Sequence, residues 1–256
     1  MKIASWNVNS LRVRIDQVLD WTEKNHIDIL AIQETKVTDE LFPLDEIKEA
    51  GYYCQFCGQK TYNGVATLSK LPPIETIKQF NKKEQEEKRI LLTRHESDLT
   101  VLNLYVVNGH SVDSDKYKYK LKWLRSIQNF IEKDINNTQH YIIVGDFNIA
   151  PEDRDVYSPQ EWEERILCSK KERKALQDIM EIGLKDCFRI FGQDDNLYSW
   201  WDYRTRAFSR NNGLRIDLML ANNKLSEKCK MSWIDVEPRG HERPSDHAPV
   251  ISEFSI

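Results

Sequence analysis

Tyr141-Ile142-Ile143-Val144-Gly145-Asp146-Phe147-Asn148 is an apolar run that stops in a glycine and two polar residues. The four leading residues are β-branched or aromatic, as expected of a strand. Beyond Gly145, Asp146 and Asn148 alternate with Phe147, which sends the carboxylate and the amide to one face and the ring into packing. A carboxylate at the end of a buried strand is costly unless it is paired or bound to a cation.

The same design recurs along the chain. Ile3-Ala4-Ser5-Trp6 runs into Asn7, and Ile29-Leu30-Ala31-Ile32 runs into Gln33-Glu34-Thr35-Lys36. Val101-Leu102-Asn103-Leu104 reaches Tyr105, with Asn108 shortly after it. Arg215-Ile216-Asp217 and Ser245-Asp246-His247 complete the set. Strands that leave a sheet on one side would bring these tips together. The pooled carboxylates, amides, phenol and imidazole suit a magnesium-dependent attack on phosphate.

Each tip carries its own chemistry. Magnesium favours one or two carboxylates plus waters and phosphate oxygens, which suits Glu34, with the amide oxygen of Asn7 as a second donor. Asp146 beside Asn148 can deprotonate a water and hydrogen-bond the phosphate oxygen that gains charge. His247 can donate to a phosphoryl oxygen if an acidic partner orients it and favours its charged form. Asp217 is the natural partner; read as one strand with Arg215, it shares a face with that residue. Tyr105 and Asn108 offer a phenol and an amide to phosphate oxygens.

Strand-like runs cover residues 2–8, 27–33, 51–58, 64–70, 74–80, 90–96, 99–107, 140–146, 184–191, 198–202, 215–221, 229–235 and 249–255. Leu11, Ile15, Val18 and Thr22 recur at helical spacing after Ser10, a candidate cap. Leu121, Leu124, Ile127, Ile131 and Ile135 mark a long helix over 115–136. Ser169-Lys170-Lys171-Glu172 is a capping-box pattern before Leu176, Ile179 and Ile182, with Gly183 placed to end the helix. The hairpin-like neighbours 51–70 and 90–107 predict mixed, mostly antiparallel sheets. Two such sheets packed face to face, with helices outside, form the four-layer α/β sandwich expected here, as a single domain over 1–256. The Lys82–Arg89 run reads as a solvated excursion.

Composition narrows the class. Hydrophobic residues make up 40% and charged residues 30%, ordinary values for a globular protein. The chain shows no apolar run of about 18 residues and no signal-peptide pattern, so a cytoplasmic protein with no membrane partner is expected. Five cysteines are an odd number and argue against a disulfide framework, and the lone Cys54/Cys57 pair has no second pair to close a zinc site. A net charge of −4 does not announce a nucleic-acid binder. Two local basic clusters could still track a phosphate backbone: Lys116, Lys118, Lys120, Lys122 and Arg125, and Arg204, Arg206, Arg210 and Arg215.

Six segments in order carry a resemblance. They are Trp6-Asn7-Val8-Asn9-Ser10-Leu11-Arg12, Gln33-Glu34-Thr35-Lys36, Gly64-Val65-Ala66, Gly145-Asp146-Phe147-Asn148-Ile149-Ala150-Pro151, Gly213-Leu214-Arg215-Ile216-Asp217 and Ser245-Asp246-His247-Ala248-Pro249-Val250. The chain resembles the exonuclease III-type AP endonucleases of the endonuclease/exonuclease/phosphatase superfamily. The resemblance implies a four-layer sandwich and a magnesium- or manganese-dependent enzyme. Its expected substrate is double-stranded DNA with abasic sites or blocked 3′ ends, and its expected state is a monomer.

By position, Glu34 would bind the metal with Asn7, Asp146 would activate water, and Asn148 would stabilise the transition state. Tyr105 and Asn108 would hold the scissile phosphate, and His247 with Asp217 would engage its non-bridging oxygen. Asp246, Asp146, Asn148 and His247 would be further metal-site residues if a second ion binds. Trp200, Leu214 and Ile216 match the wall of the pocket for the base-less sugar, with Arg215 beside them on the substrate side.

Val107 stands where the family commonly has proline, and Gly109–Lys122 follows no family version closely. The same core chemistry would also serve a damage-indifferent nuclease or a lipid or inositol phosphate esterase. A non-catalytic DNA-binding protein is disfavoured, because every catalytic position holds a competent residue.

Overall fold

The apolar runs form twelve strands in two sheets, in a computed structural model that describes residues 1–79, 87–96 and 98–256. The first sheet holds β1 (Lys2–Asn7), β2 (Ile29–Gln33), β3 (Tyr53–Cys57), β4 (Val65–Ser69), β11 (Cys229–Ile234) and β12 (Val250–Phe254), in the order β11-β12-β1-β2-β4-β3. The second holds β5 (Glu75–Ile77), β6 (Ile90–His95), β7 (Leu99–Tyr105), β8 (His140–Asp146), β9 (Leu184–Asp186) and β10 (Asp217–Asn222), in the order β5-β6-β7-β8-β10-β9. Each sheet contains one parallel pair, β1 with β2 and β7 with β8, and is otherwise antiparallel.

Alternation along these strands builds the layers. One face of the first sheet buries Ala4, Trp6, Leu30, Ile32 and Ile251 against α1 (Leu11–Lys24) and α2 (Leu44–Glu49). The outer face of the second buries Leu102, Leu104, Ile143 and Leu220 against α3 (Asp115–Asp134) and α5 (Lys170–Met180). The alternate residues Ile3, Ile29, Ala31, Val101, Ile142, Val144, Met219 and Val250 meet between the sheets. Two short helices, α4 (Pro159–Trp162) and α6 (Asn223–Ser226), lie in the connections. The result is the expected four-layer sandwich.

Polar residues join the sheets. Asn103 on β7 donates to the carbonyls of Ile32 and Ala66 in the other sheet, at 3.1 and 2.8 Å, and accepts from Gln33 Nε2 at 2.8 Å. All of these groups are buried, so losing one partner would cost about 1–3 kcal/mol. This link fixes how far one sheet slides over the other, and hence which strand ends meet.

Local departures from the sequence expectations are informative. Ser10 makes no side-chain cap; its backbone N–H instead donates to Glu34 O at 2.8 Å, tying α1 to the end of β2. Ser169 and Glu172 do form the capping box of α5. Residues 198–202 are not a strand; Trp200 makes only isolated bridges, to Leu214 and to His247. Residue 80 of the expected strand 74–80, and most of the Lys82–Arg89 run, lie outside the described residues. Among the described residues no helix is long and apolar enough to cross a membrane.

Candidate active site

Strand direction gathers the site. The parallel strands β1, β2, β7 and β8 bring their C-terminal ends to one edge of the sandwich, whereas their antiparallel neighbours β10 and β12 bring their starts. Asp217 therefore pairs with Asp146, and Val250, just past His247, pairs with Ser5. Two glycines permit the crowding. A Cβ on Gly145 would lie 1.8 Å from Leu104 O, and one on Gly64 would lie 2.1 Å from Thr35 Oγ1. Beyond the strand ends the chain turns sharply, with Asn9, Glu34, Lys36 and Asn148 all at positive φ between 44° and 53°. Strained backbone of this kind persists only where surrounding structure over-determines it.

The tips line a cleft of about 710 Å³, with Glu34, Tyr105, Asn108, Asp146, Asn148, Trp200, Ile216, Asp246 and His247 all on its surface. Asn7 lies buried in its floor and donates from Nδ2 to Glu34 Oε1 at 2.8 Å and to Asp146 Oδ2 at 3.0 Å. Asp146 also accepts from the backbone N–H of Asn148 at 2.9 Å and from Asn148 Nδ2 at 3.2 Å. Asn108 Nδ2 donates to Asn148 Oδ1 at 2.9 Å. His247 donates from Nδ1 to Asp217 Oδ2 at 2.9 Å, which leaves Nε2 facing Asp146 Oδ2 at 3.8 Å.

Burial alone would pull the His247 imidazole below its usual range, but Asp217, Asp146 and Asp246 outweigh it and push the pKa up to about 10. The ring is therefore a charged donor. Burial raises the Asp146 carboxyl, and Asp217 and Glu34 add to the rise against the opposing pull of His247. Burial would also raise Glu34, but the Lys36 ammonium and the Asn7 amide hold it below the ordinary value. Burial, then Glu34 and Asp146, keep the Tyr105 phenol protonated far above its usual range.

Glu34, Asp146 and His247 offer ligand atoms that all lie within 4.8 Å of one another, the one group of this kind among the described residues. Two carboxylates in a cleft open to water fit a hard cation, which prefers oxygen donors and keeps several waters. The protonated His247 fits that cation less well than it fits a phosphate oxygen.

Two substrate-side expectations need correction. Arg215 does not face the cleft. It is 1% exposed, grips both carboxylate oxygens of Asp155 at 2.6 and 3.2 Å, and pairs with Asp186 at 2.7 Å. The strand starts only at Asp217, so the alternation that was to place Arg215 and Asp217 on one face does not hold there. Leu214 is fully buried behind the wall among Ala150, Val156, Leu167 and Cys168. It acts on the cleft through Trp200, exchanging two backbone hydrogen bonds with it at 2.9 Å. Lys120, a member of the first basic cluster expected to track a phosphate backbone, is also fully buried and cannot do so.

Other residues at the site escaped the sequence reading. Lys36 pairs with Glu34 at 2.7 Å and donates to Asn9 Oδ1 at 2.6 Å. Asn9 in turn donates to Asp246 Oδ1 at 2.9 Å, and Trp200 Nε1 donates to Asp246 Oδ2 at 3.1 Å. Ser199 Oγ donates to Asp217 Oδ2 at 2.6 Å and accepts from the backbone of Ile216 and Asp217. Trp162, Ile166 and Leu167 extend the apolar wall from a segment with no periodic pattern, where only the bulk of the side chains could have signalled it.

The model of the Endonuclease/Exonuclease/phosphatase family matches residues 4–247, a span that includes Asn7, Glu34, Tyr105, Asp146, Asp217 and His247. The chain belongs to this family. Within it, the chain is 38% identical to exodeoxyribonuclease III of Haemophilus influenzae, covering 99% of this chain and 100% of that protein. Among solved structures of the family, a 3′ phosphatase, NExo, from Neisseria, bound to a product DNA hairpin, is 39% identical, covers both chains fully and superposes with a TM-score of 0.97. An AP endonuclease from Archaeoglobus fulgidus, 35% identical, also covers both chains fully, with a TM-score of 0.96. The Endonuclease/Exonuclease/phosphatase fold is thus shared end to end with exonuclease III-type nucleases.

Proposed function

We propose that this chain is a DNA-repair phosphodiesterase that cuts the backbone 5′ to abasic sites and trims or unblocks 3′ ends. It would act as a magnesium enzyme, with manganese as a substitute, as a single catalytic domain, a monomer, in the cytoplasm. One observation carries the reading: a buried acid, Asp146, and a charged donor, His247, face each other at 3.8 Å beside the apolar wall of Trp200 and Ile216. Such a pair can take a proton from water and answer the charge that develops on a phosphate. The wall suits a sugar without a base, which leaves the stack at less cost than a nucleotide.

The residues divide the work. Asp146 takes a proton from water as its oxygen bonds to phosphorus, its raised pKa placing it closer to the range of an effective general base. The bond from phosphorus to the 3′ oxygen breaks, and that oxygen ends as a hydroxyl with a proton drawn from solvent. His247, held by Asp217 and Ser199, donates from Nε2 to a non-bridging oxygen. Asn148 and the protonated Tyr105 donate to phosphate oxygens, with Asn108 setting the Asn148 amide. Glu34 and Asp146, with Asn7 between them, would hold the magnesium ion. When bound, that ion supplies a positive charge for the phosphate oxygens.

The test is a nicking assay on a duplex with one abasic-site analogue, with and without magnesium, beside an undamaged duplex and a 3′-phosphate primer. We expect magnesium-dependent cutting of the abasic strand. Equal cutting of the undamaged duplex would make this a damage-indifferent nuclease. Unblocking of the primer without any nicking would make it chiefly an end-processing enzyme.

A further inference from the structure

Lys120 lies on α3 with no exposed surface, and its ammonium has three hydrogen-bond acceptors for three N–H groups. Two are the main-chain carbonyls of Asn108 at 3.1 Å and Asn148 at 2.7 Å; the third is Glu172 Oε1 at 2.5 Å. Glu172, equally buried, is saturated as well. Its Oε1 accepts from Leu167 N at 3.2 Å, and its Oε2 accepts from Ser169 N at 3.2 Å and Ser169 Oγ at 2.6 Å.

A dry ion pair is poor value as a stability device, since apolar residues of similar size would commonly serve as well or better. The two carbonyls explain its use. Asn108 and Asn148 sit just past the ends of neighbouring strands β7 and β8, and one cation grips both main chains at once. Their side chains meet on the cleft side, where Asn108 Nδ2 donates to Asn148 Oδ1 at 2.9 Å.

We propose that Lys120, clamped by Glu172, is a positioning residue that sets the spacing of the Asn108 and Asn148 amides in the cleft. It has no surface in the cleft, and works by fixing the two loops that present these amides. Its effect on rate rests on the phosphodiesterase reading above; its effect on geometry does not.

The test compares wild type, K120M, E172Q and K120M/E172Q by thermal melting and by steady-state kinetics on the abasic duplex with magnesium. K120M leaves a buried carboxylate unpaired, so it should melt lower and lose roughly 10²-fold in kcat with KM little changed. K120M/E172Q removes both charges and keeps an acceptor for the cap of α5. It should regain most of the melting temperature while kcat stays low. Recovery of kcat along with the melting temperature would make the pair merely structural and overturn the proposal. So would a full multiplicative loss when the pair is removed from N148A, because positioning has little left to act on there.

The side-chain amide resonances of Asn108 and Asn148 read the same spacing without substrate. Both should shift or broaden in K120M/E172Q relative to wild type, and unchanged signals would overturn the proposal. If wild type cuts no phosphate substrate, the functional reading falls and these signals still decide the role of Lys120.

Discussion

Two buried charge clusters lie at opposite ends of the same short segment, and they differ in balance. Around Arg215, the carboxylates of Asp155 and Asp186 meet the guanidiniums of Arg215 and Arg189, two charges against two. That cluster closes on itself. In the cleft, Glu34, Asp146, Asp202, Asp217 and Asp246 stand with His247, Lys36 and Arg204, five carboxylates against three cations. The first arrangement balances its charges by ion pairing, bidentate between Arg215 and Asp155. The second leaves negative charge uncompensated and open to solvent, as a site for a cation and a phosphate should. Only Ile216 separates Arg215 from Asp217, yet one belongs to structure and the other to chemistry.

The comparison breaks most readily at Asp146. D146A should lower kcat by roughly 10²–10⁴-fold, the range for a lost general base, while the melting temperature holds or rises as like charges are relieved. Activity near wild type, or a collapse of the fold, would erase the distinction between the clusters.

The next effect concerns cooperation within the cleft. D217A and H247A should each cost a large part of kcat, and the double variant should be little worse than the weaker single one. Independent, multiplicative losses would show that Asp217 does not act through His247.

The balanced cluster should answer in stability instead. R215M leaves Asp155 and Asp186 buried beside a single arginine and should cost about 3–5 kcal/mol in denaturant unfolding, with kcat per folded molecule close to wild type. Its pH dependence sharpens the point. Burial alone would raise the Asp155 carboxyl, but Arg215 and Arg189 hold it below its ordinary value. A depressed folded-state pKa stabilises fully above the unfolded pKa of about 3.9 and is lost as pH falls from there toward the folded value. Unfolding measured from neutral pH downward should therefore show a shallower acid limb in D155N than in wild type. Identical limbs would mean that the cluster is not what acid attacks.

What could be read before folding followed from short-range chemistry. The strand at Tyr141–Val144 and the capping box at Ser169–Glu172 are local, because alternation and capping involve residues a few positions apart. Polar tips at strand ends were readable for the same reason. The misreadings share a cause as well. Arg215 and Lys120 looked like surface cations because their partners, Asp155, Asp186 and Glu172, lie 29–60 residues away in sequence and carry no local mark. Leu214 lies one layer behind the cleft wall, and a sequence does not say which of several neighbouring apolar residues meets the cleft.

The sequence by itself determined the strands, the long helices and the list of polar residues at their ends, since each depends on neighbours along the chain. Tertiary structure alone decided which of those residues share a space. Strand direction brought the ends of β1, β2, β7 and β8 to the starts of β10 and β12, and Asn103 locked one sheet over the other. Charge then acquired meaning through distance. The same carboxylate is a silent half of an ion pair beside Arg215 and a reactive group beside His247, because its pKa depends on what surrounds it rather than on what precedes it.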